Sequence, residues 1–174
     1  ISETDNVIIT ENINSNTTWV SDSIYELRGM ISVENGATLT IEPGTIIKGA
    51  MGTSTNASTL IVSIGGKLIA NGTKINPIIF TSVSDEISLE QTRNGNFSSP
   101  NLNVNDNGLW GGLVILGEAP ISTSNTPTQI EGIPTTNING RYGGFDSLDN
   151  SGILRYISIR HGGTNIGSGN EINW

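Results

Sequence analysis

Cysteine is absent from the 174-residue chain, so neither a disulfide nor a thiolate metal site can contribute to it. That absence suits a reducing cytosol and an exported protein alike. Basic residues are few, with 8 Lys and Arg against 16 Asp and Glu and a net charge of −8. Nucleic-acid binding needs a clustered Lys/Arg footprint, which scattered basic residues do not make, and an anionic membrane surface is not expected as a partner on the same ground. No apolar run approaches the ~18 residues of a membrane-spanning helix, so no membrane insertion is expected. Aromatic residues are 5% of the chain, which leaves few rings for gripping a sugar. Helical periodicity is missing as well: no window repeats apolar residues at i, i+3, i+4 and i+7 over three turns. A single histidine without cysteine cannot complete a tetrahedral zinc set.

What is abundant is glycine, at 22 residues, together with Asn, Ser and Thr. These frame short β runs. The stretch from Gly36 to Gly49 organises the rest: Leu39 and Ile41 alternate with Thr38 and Thr40, so one face goes to a core and a row of hydroxyls faces out. Pro43 cannot donate to a ladder and Gly44 accepts a left-handed conformation, so the chain turns there. A related phrase returns at 65–73, with Leu39 falling on Leu68 and Thr45 on Thr73. Repetition at a period of about 20 to 50 residues marks a solenoid, whose units bury their apolar faces only by stacking. Short strands with sharp corners make this an all-β solenoid.

Along the chain, residues 1–23 are expected to cap the first coil, with Trp19 over its open end. Residues 24–174 are expected to form the solenoid itself. Two stretches break the rhythm, 82–109 and 117–152, and are expected as long side loops, where binding functions concentrate. Between them, the run from Trp110 to Gly117 is apolar on both parities and predicts a strand covered on both faces, with the preceding loop as the outer cover. In 154–160, Ile157 and Ile159 are expected to point in, Ser158 and Arg160 out. No cap is evident near Trp174, so further coils are expected beyond it.

The phrases "GATLTIEPGTIIKG", "GGKLIANGTKINPIIFTS", "GLWGGLVILGEAPI", "IEGIP", "YGG" and "DNSGILRYISIRHGG" together resemble a family of secreted right-handed parallel β-helix proteins from Bacteroidetes. Members of that family are exported surface proteins, often cargo of type IX secretion. The resemblance implies a secreted or outer-surface location and, for most members, no assigned activity. It also draws attention to Asp-Ser followed by an aliphatic residue, an O-glycosylation pattern of such proteins, met here at Ser23 and Ser147.

Parallel β-helices host polysaccharide lyases and hydrolases, so catalysis has to be weighed. A hydrolase needs two facing carboxylates and a lyase needs clustered carboxylates with a basic residue. The strands instead carry Thr, Ser and Ile, and the acids sit in loops, so no catalytic set is assigned. Arg160 and His161 form the sharpest polar pair, as ligand contacts or as turn residues bonded to backbone. Trp110 and Tyr142, with Phe145, offer a sugar-stacking platform or core packing. Asp146 and Asp149 beside Asn150 could hold Ca²⁺ through loop oxygens or cap an Asx turn. The leading expectation is a non-enzymatic scaffold or adhesion module whose loops bind glycan or another surface protein. The rival is a lyase or hydrolase whose active site lies on further coils.

Overall fold

A computed structural model describes residues 6–167 and 170–171. The chain winds around three parallel sheets and meets them in the same cyclic order on every coil. An opening coil carries β1 (Val7–Ile9) and β2 (Thr17–Trp19), with Ile13 bridging to Val33 between them. The second coil is β3 (Ile24–Leu27), β4 (Met30–Val33) and β5 (Thr38–Ile41). The third is β6 (Ile46–Gly49), β7 (Thr59–Val62) and β8 (Lys67–Asn71).

The fourth coil is interrupted twice. Between β9 (Ile78–Ser82) and β10 (Gly112–Ile115) the chain makes an excursion that contains a short helix, α1 (Leu89–Arg93). After β10 a second excursion contains the antiparallel pair β11 (Thr128–Gln129) and β12 (Arg141–Tyr142). The coil then closes with β13 (Gly152–Arg155), and β14 (Ile157–Ile159) begins the next.

One sheet has the order β1-β3-β6-β9-β14, the second β10-β7-β4 and the third β13-β8-β5-β2, all with parallel pairing. The fold is therefore a parallel β-helix, as the repeated phrase predicts. Its expected right-handed sense is the one that parallel crossovers adopt in nearly all proteins.

Register follows the aliphatic rows. Leu39 pairs with Leu68, as the sequence predicts, and both are fully buried. Thr45 does not fall on Thr73: Ile79 N donates to Thr45 O at 3.0 Å, and Thr73 sits in a corner bonded to Asn76. The second phrase is longer by this corner, so the match slips after β8. Ile31, Leu60 and Leu113 form an inward row on the second sheet, and Tyr25, Ile47, Phe80 and Ile159 one on the first.

Residues 7–19, within the segment expected as a cap, already pair in this register and add a rung of their own. Trp19 is an inward residue of β2 rather than a lid, and it stacks on Tyr25 with ring centroids 4.7 Å apart. Gly44 turns the chain with φ 91°, as expected of the Pro-Gly corner. Gly49 is needed for a different reason: a Cβ there would lie 2.5 Å from the Trp110 ring. The 154–160 run divides into two strands at Tyr156, and Ile157 and Ile159 pack against the core as expected.

The excursions cover outward isoleucines. Ile87, Leu89 and Phe97 of the first lie on Ile24, Ile46 and Ile79 of the first sheet. Ile130, Ile133 and Tyr142 of the second lie on Ile61 and Val114 of the second sheet. The β10 strand is thus covered on its outer face by the loop that follows it, not the one before. Among the described residues no helix is long and apolar enough to cross a membrane.

Candidate functional site

The first excursion, 83–111, does more than cover isoleucines; it closes over a polar cluster on the first sheet. There the outward row reads Glu26, Lys48 and Thr81, and the next rung adds Arg160. Asp85 turns back over this row and is fully buried. Its Oδ2 accepts from Thr81 Oγ1 at 2.8 Å, and its Oδ1 accepts from Ile87 N at 3.0 Å and Ser99 Oγ at 2.8 Å. Lys48 Nζ donates to the Asp85 carbonyl oxygen at 2.6 Å. A buried charge is tolerable only when hydrogen-bonded in this way. Burial holds the Lys48 ammonium below its ordinary pKa, and the nearby acids Asp85, Glu86 and Glu26 offset that in part.

Arg160 and His161 follow β14 and face the same excursion. Arg160 Nε donates to Ser158 Oγ at 3.0 Å and Nη2 to the Phe97 carbonyl, while burial lowers its pKa against a partial offset from Asp85. His161 adopts φ 57° and its side chain is 7% exposed. Its Nδ1 bonds the Asp106 carbonyl oxygen, so Nδ1 carries the proton. Nε2 lies 4.0 Å from Asp85 Oδ2, buried and without a hydrogen-bond partner. Outside this cluster a groove of about 700 Å³ opens between 97–107 and the end of β14. Phe97, Leu102 and Ile159 form its apolar walls, Ser98, Asn103 and Asn107 its polar rim, and Arg160 and His161 line it.

The residues singled out from sequence are thus sorted by the fold. Arg160 and His161 come together at one groove, although His161 is also the backbone-bonded turn residue of the blander expectation. Trp110 is fully buried, and its indole N–H donates to the Arg160 carbonyl at 2.7 Å. Its ring faces are engaged in the core, so of the two alternatives it takes core packing and is not a sugar platform. Tyr142 belongs to a separate apolar cluster under the second excursion, and Phe145 stands alone and 85% exposed, so the three rings do not assemble.

Asp146 Oδ1 accepts from Leu148 N at 2.8 Å, an Asx turn, and Asp149 Oδ2 lies 3.4 Å from Ser151 Oγ. Among the described residues no three Asp, Glu or His side chains gather where a metal ion could sit. Ser147 is exposed in this turn, and Ser23 lies half-buried in another, bonded to Asp22 Oδ1 at 3.0 Å. Sequence reasoning missed Asp85, counted only among scattered loop acids, and Lys48. The available signal was a lysine at an outward strand position between isoleucine and glycine, one rung from Glu26.

A family model described as a pectate-lyase like beta helix domain matches residues 11–174. No curated protein and no solved structure matches the chain.

Proposed function

The chain belongs to the pectate-lyase-like β-helix family, and from that premise we propose that it is a non-enzymatic scaffold. Its side loops bind a glycan or another surface protein, at the outer surface of the cell or after secretion. The observation that carries this reading is the first excursion, tied down through Asp85 and Lys48 yet leaving an open groove beside Arg160. A rigid stack of rungs holds such a groove without the ordering cost that a free loop would meet on binding. Both oxygens of Asp85 are engaged in hydrogen bonds, which suits an anchor better than a proton carrier.

Alanine replacement across the exposed positions of both excursions should abolish attachment to cells or polysaccharide while leaving the coils folded. Unchanged attachment refutes the proposal. The family name favours a second reading, a polysaccharide lyase or hydrolase. Incubation with acidic and neutral glycans separates the two: unsaturated or new reducing ends support the enzyme, and intact glycans support the scaffold.

A further inference from the structure

Five Asn-Gly pairs run through the chain, beginning at Asn35, Asn71, Asn94, Asn107 and Asn139. In such a pair the glycine nitrogen can attack the side-chain amide carbon of the asparagine, because no Cβ on the glycine stands in its way. The new C–N bond closes a cyclic imide, and the side-chain nitrogen leaves as ammonia, taking the proton of the attacking nitrogen. Water then opens the ring at either carbonyl, giving aspartate or, with the backbone rerouted through the side chain, isoaspartate. We propose that Asn94 is the modification site at which the folded protein undergoes this conversion, and that the fold holds back the other four. The conversion loosens the first excursion, whatever that excursion binds.

A glycine nitrogen engaged as a donor cannot attack until its hydrogen bond opens, so the cost of local opening ranks the pairs. Gly36 N donates to Gly65 O at 3.0 Å and Gly72 N to Arg155 O at 2.9 Å, bonds that tie one coil to the next. Gly108 N donates to Gly162 O at 2.7 Å, which ties the end of the first excursion to the turn after β14. Opening any of these three parts segments that are distant in sequence. Gly140 N bonds locally, to Asn137 O at 3.1 Å, but Gly140 is buried against Gln129 and Ile133. Asn139 beside it is held as well: its Nδ2 donates to Glu34 Oε1 at 3.4 Å and its carbonyl accepts from Ser63 Oγ at 3.3 Å.

Gly95 differs from all of these. Its N–H donates to Thr92 O at 2.9 Å, a bond at the C-terminal end of α1 that fraying opens without disturbing any rung. Asn94 and Gly95 are both exposed, and a Cβ at Gly95 would meet no atom within 4 Å. The Asn94 side chain has no hydrogen-bond partner among the described residues. Isoaspartate at 94 adds a negative charge and an extra backbone carbon shortly before Phe97. That residue packs on the isoleucines of the first sheet, and its carbonyl accepts from Arg160.

The test is peptide mapping by mass spectrometry after incubation at mildly alkaline pH, with chromatography to separate aspartate from isoaspartate products. In the native protein the Asn94 peptide should convert about tenfold faster than any of the other four. In urea the five rates should draw together, because the hydrogen bonds that rank them are gone. Leu89→Ala, which removes a buried contact between α1 and the first sheet, should raise the Asn94 rate and leave the other four unchanged. Proteolysis of the incubated protein within 83–111 should be faster than in Asn94→Gln, whose longer side chain closes the ring far more slowly. Earlier conversion at another pair, equal native rates, a native ranking that persists in urea, or cleavage no faster than in Asn94→Gln would overturn the proposal.

Discussion

The third coil, 46–71, and the fourth, 78–155, place their strands at the same three positions, yet they reach those positions by different routes. The third turns corners of a few residues, apart from the small-residue loop after β6. The fourth leaves the stack for 83–111 and again for 116–151 and still returns in register, Leu113 on Leu60 and Leu154 on Ala70. Rung position therefore does not depend on connection length. It depends on the inward rows, where an aliphatic side chain can be buried only opposite another. Where a loop lies depends on the outward rows. Ile24, Ile46 and Ile79 attract the first excursion and Ile61 and Val114 the second. On the third sheet the outward row reads Thr18, Thr40, Ile69 and Ile153, and its two isoleucines stay partly exposed.

The largest effect tests the inward rows. Leu68→Ala should cost about 2–5 kcal/mol in urea unfolding, because a fully buried leucine leaves a cavity. Ile115 occupies an inward position of the fourth coil but is 39% exposed, so Ile115→Ala should cost under about 1.5 kcal/mol. Equal losses would mean that the two coils do not differ in packing.

Next come the outward rows. Ile79 points away from the central core and is still fully buried, so Ile79→Ala should cost about 2–4 kcal/mol. The half-buried Ile69 on the uncovered sheet should lose less than about 1 kcal/mol on the same change. A small loss at Ile79 would show that the first excursion contributes no packing.

Asp85→Asn sharpens the polar half of that comparison. It weakens an acceptor shared by three donors, so about 1–3 kcal/mol should be lost, with faster proteolysis confined to 83–111. Cleavage at an unchanged rate would assign the anchoring to the isoleucines alone.

The smallest effect is a pH slope. The folded-state pKa of Lys48 is lowered from 10.5, so between the lowered value and 10.5 the unfolded chain binds this proton more tightly. On this group's account stability rises with pH across that window. The stability difference between the native protein and Lys48→Met should therefore shift in favour of the native protein as pH climbs through it. A flat difference would show that the Asp85, Glu86 and Glu26 charges cancel the effect of burial.

Much of this was legible in the chain. The alternation at 38–41 and its return at 67–70 identified the rungs and the pairing of Leu39 with Leu68. The two departures from that alternation located the excursions to within three residues. The site was legible only in part. Arg160 and His161 stood out as a polar pair at a strand end, whereas Asp85 and Lys48 did not. Their meeting depends on a loop closing over a rung 37 residues away in sequence, and no local pattern encodes that. Trp110 reads from sequence as core packing or as a sugar platform, and the close approach that settles it, its ring against the bare backbone of Gly49, joins residues 61 apart in sequence.

Composition and periodicity determined the architecture, because an aliphatic row repeated once per coil has one way to leave water, by stacking on its own copy. They also determined what the chain lacks: thiols, a basic footprint and a spanning helix. Tertiary structure alone decided which outward isoleucines are covered, which carboxylate is buried, and that Arg160 and His161 line one open groove. Those outcomes depend on how long loops settle against distant strands, and settling is governed by the shape of the assembled surface rather than by any neighbouring residue.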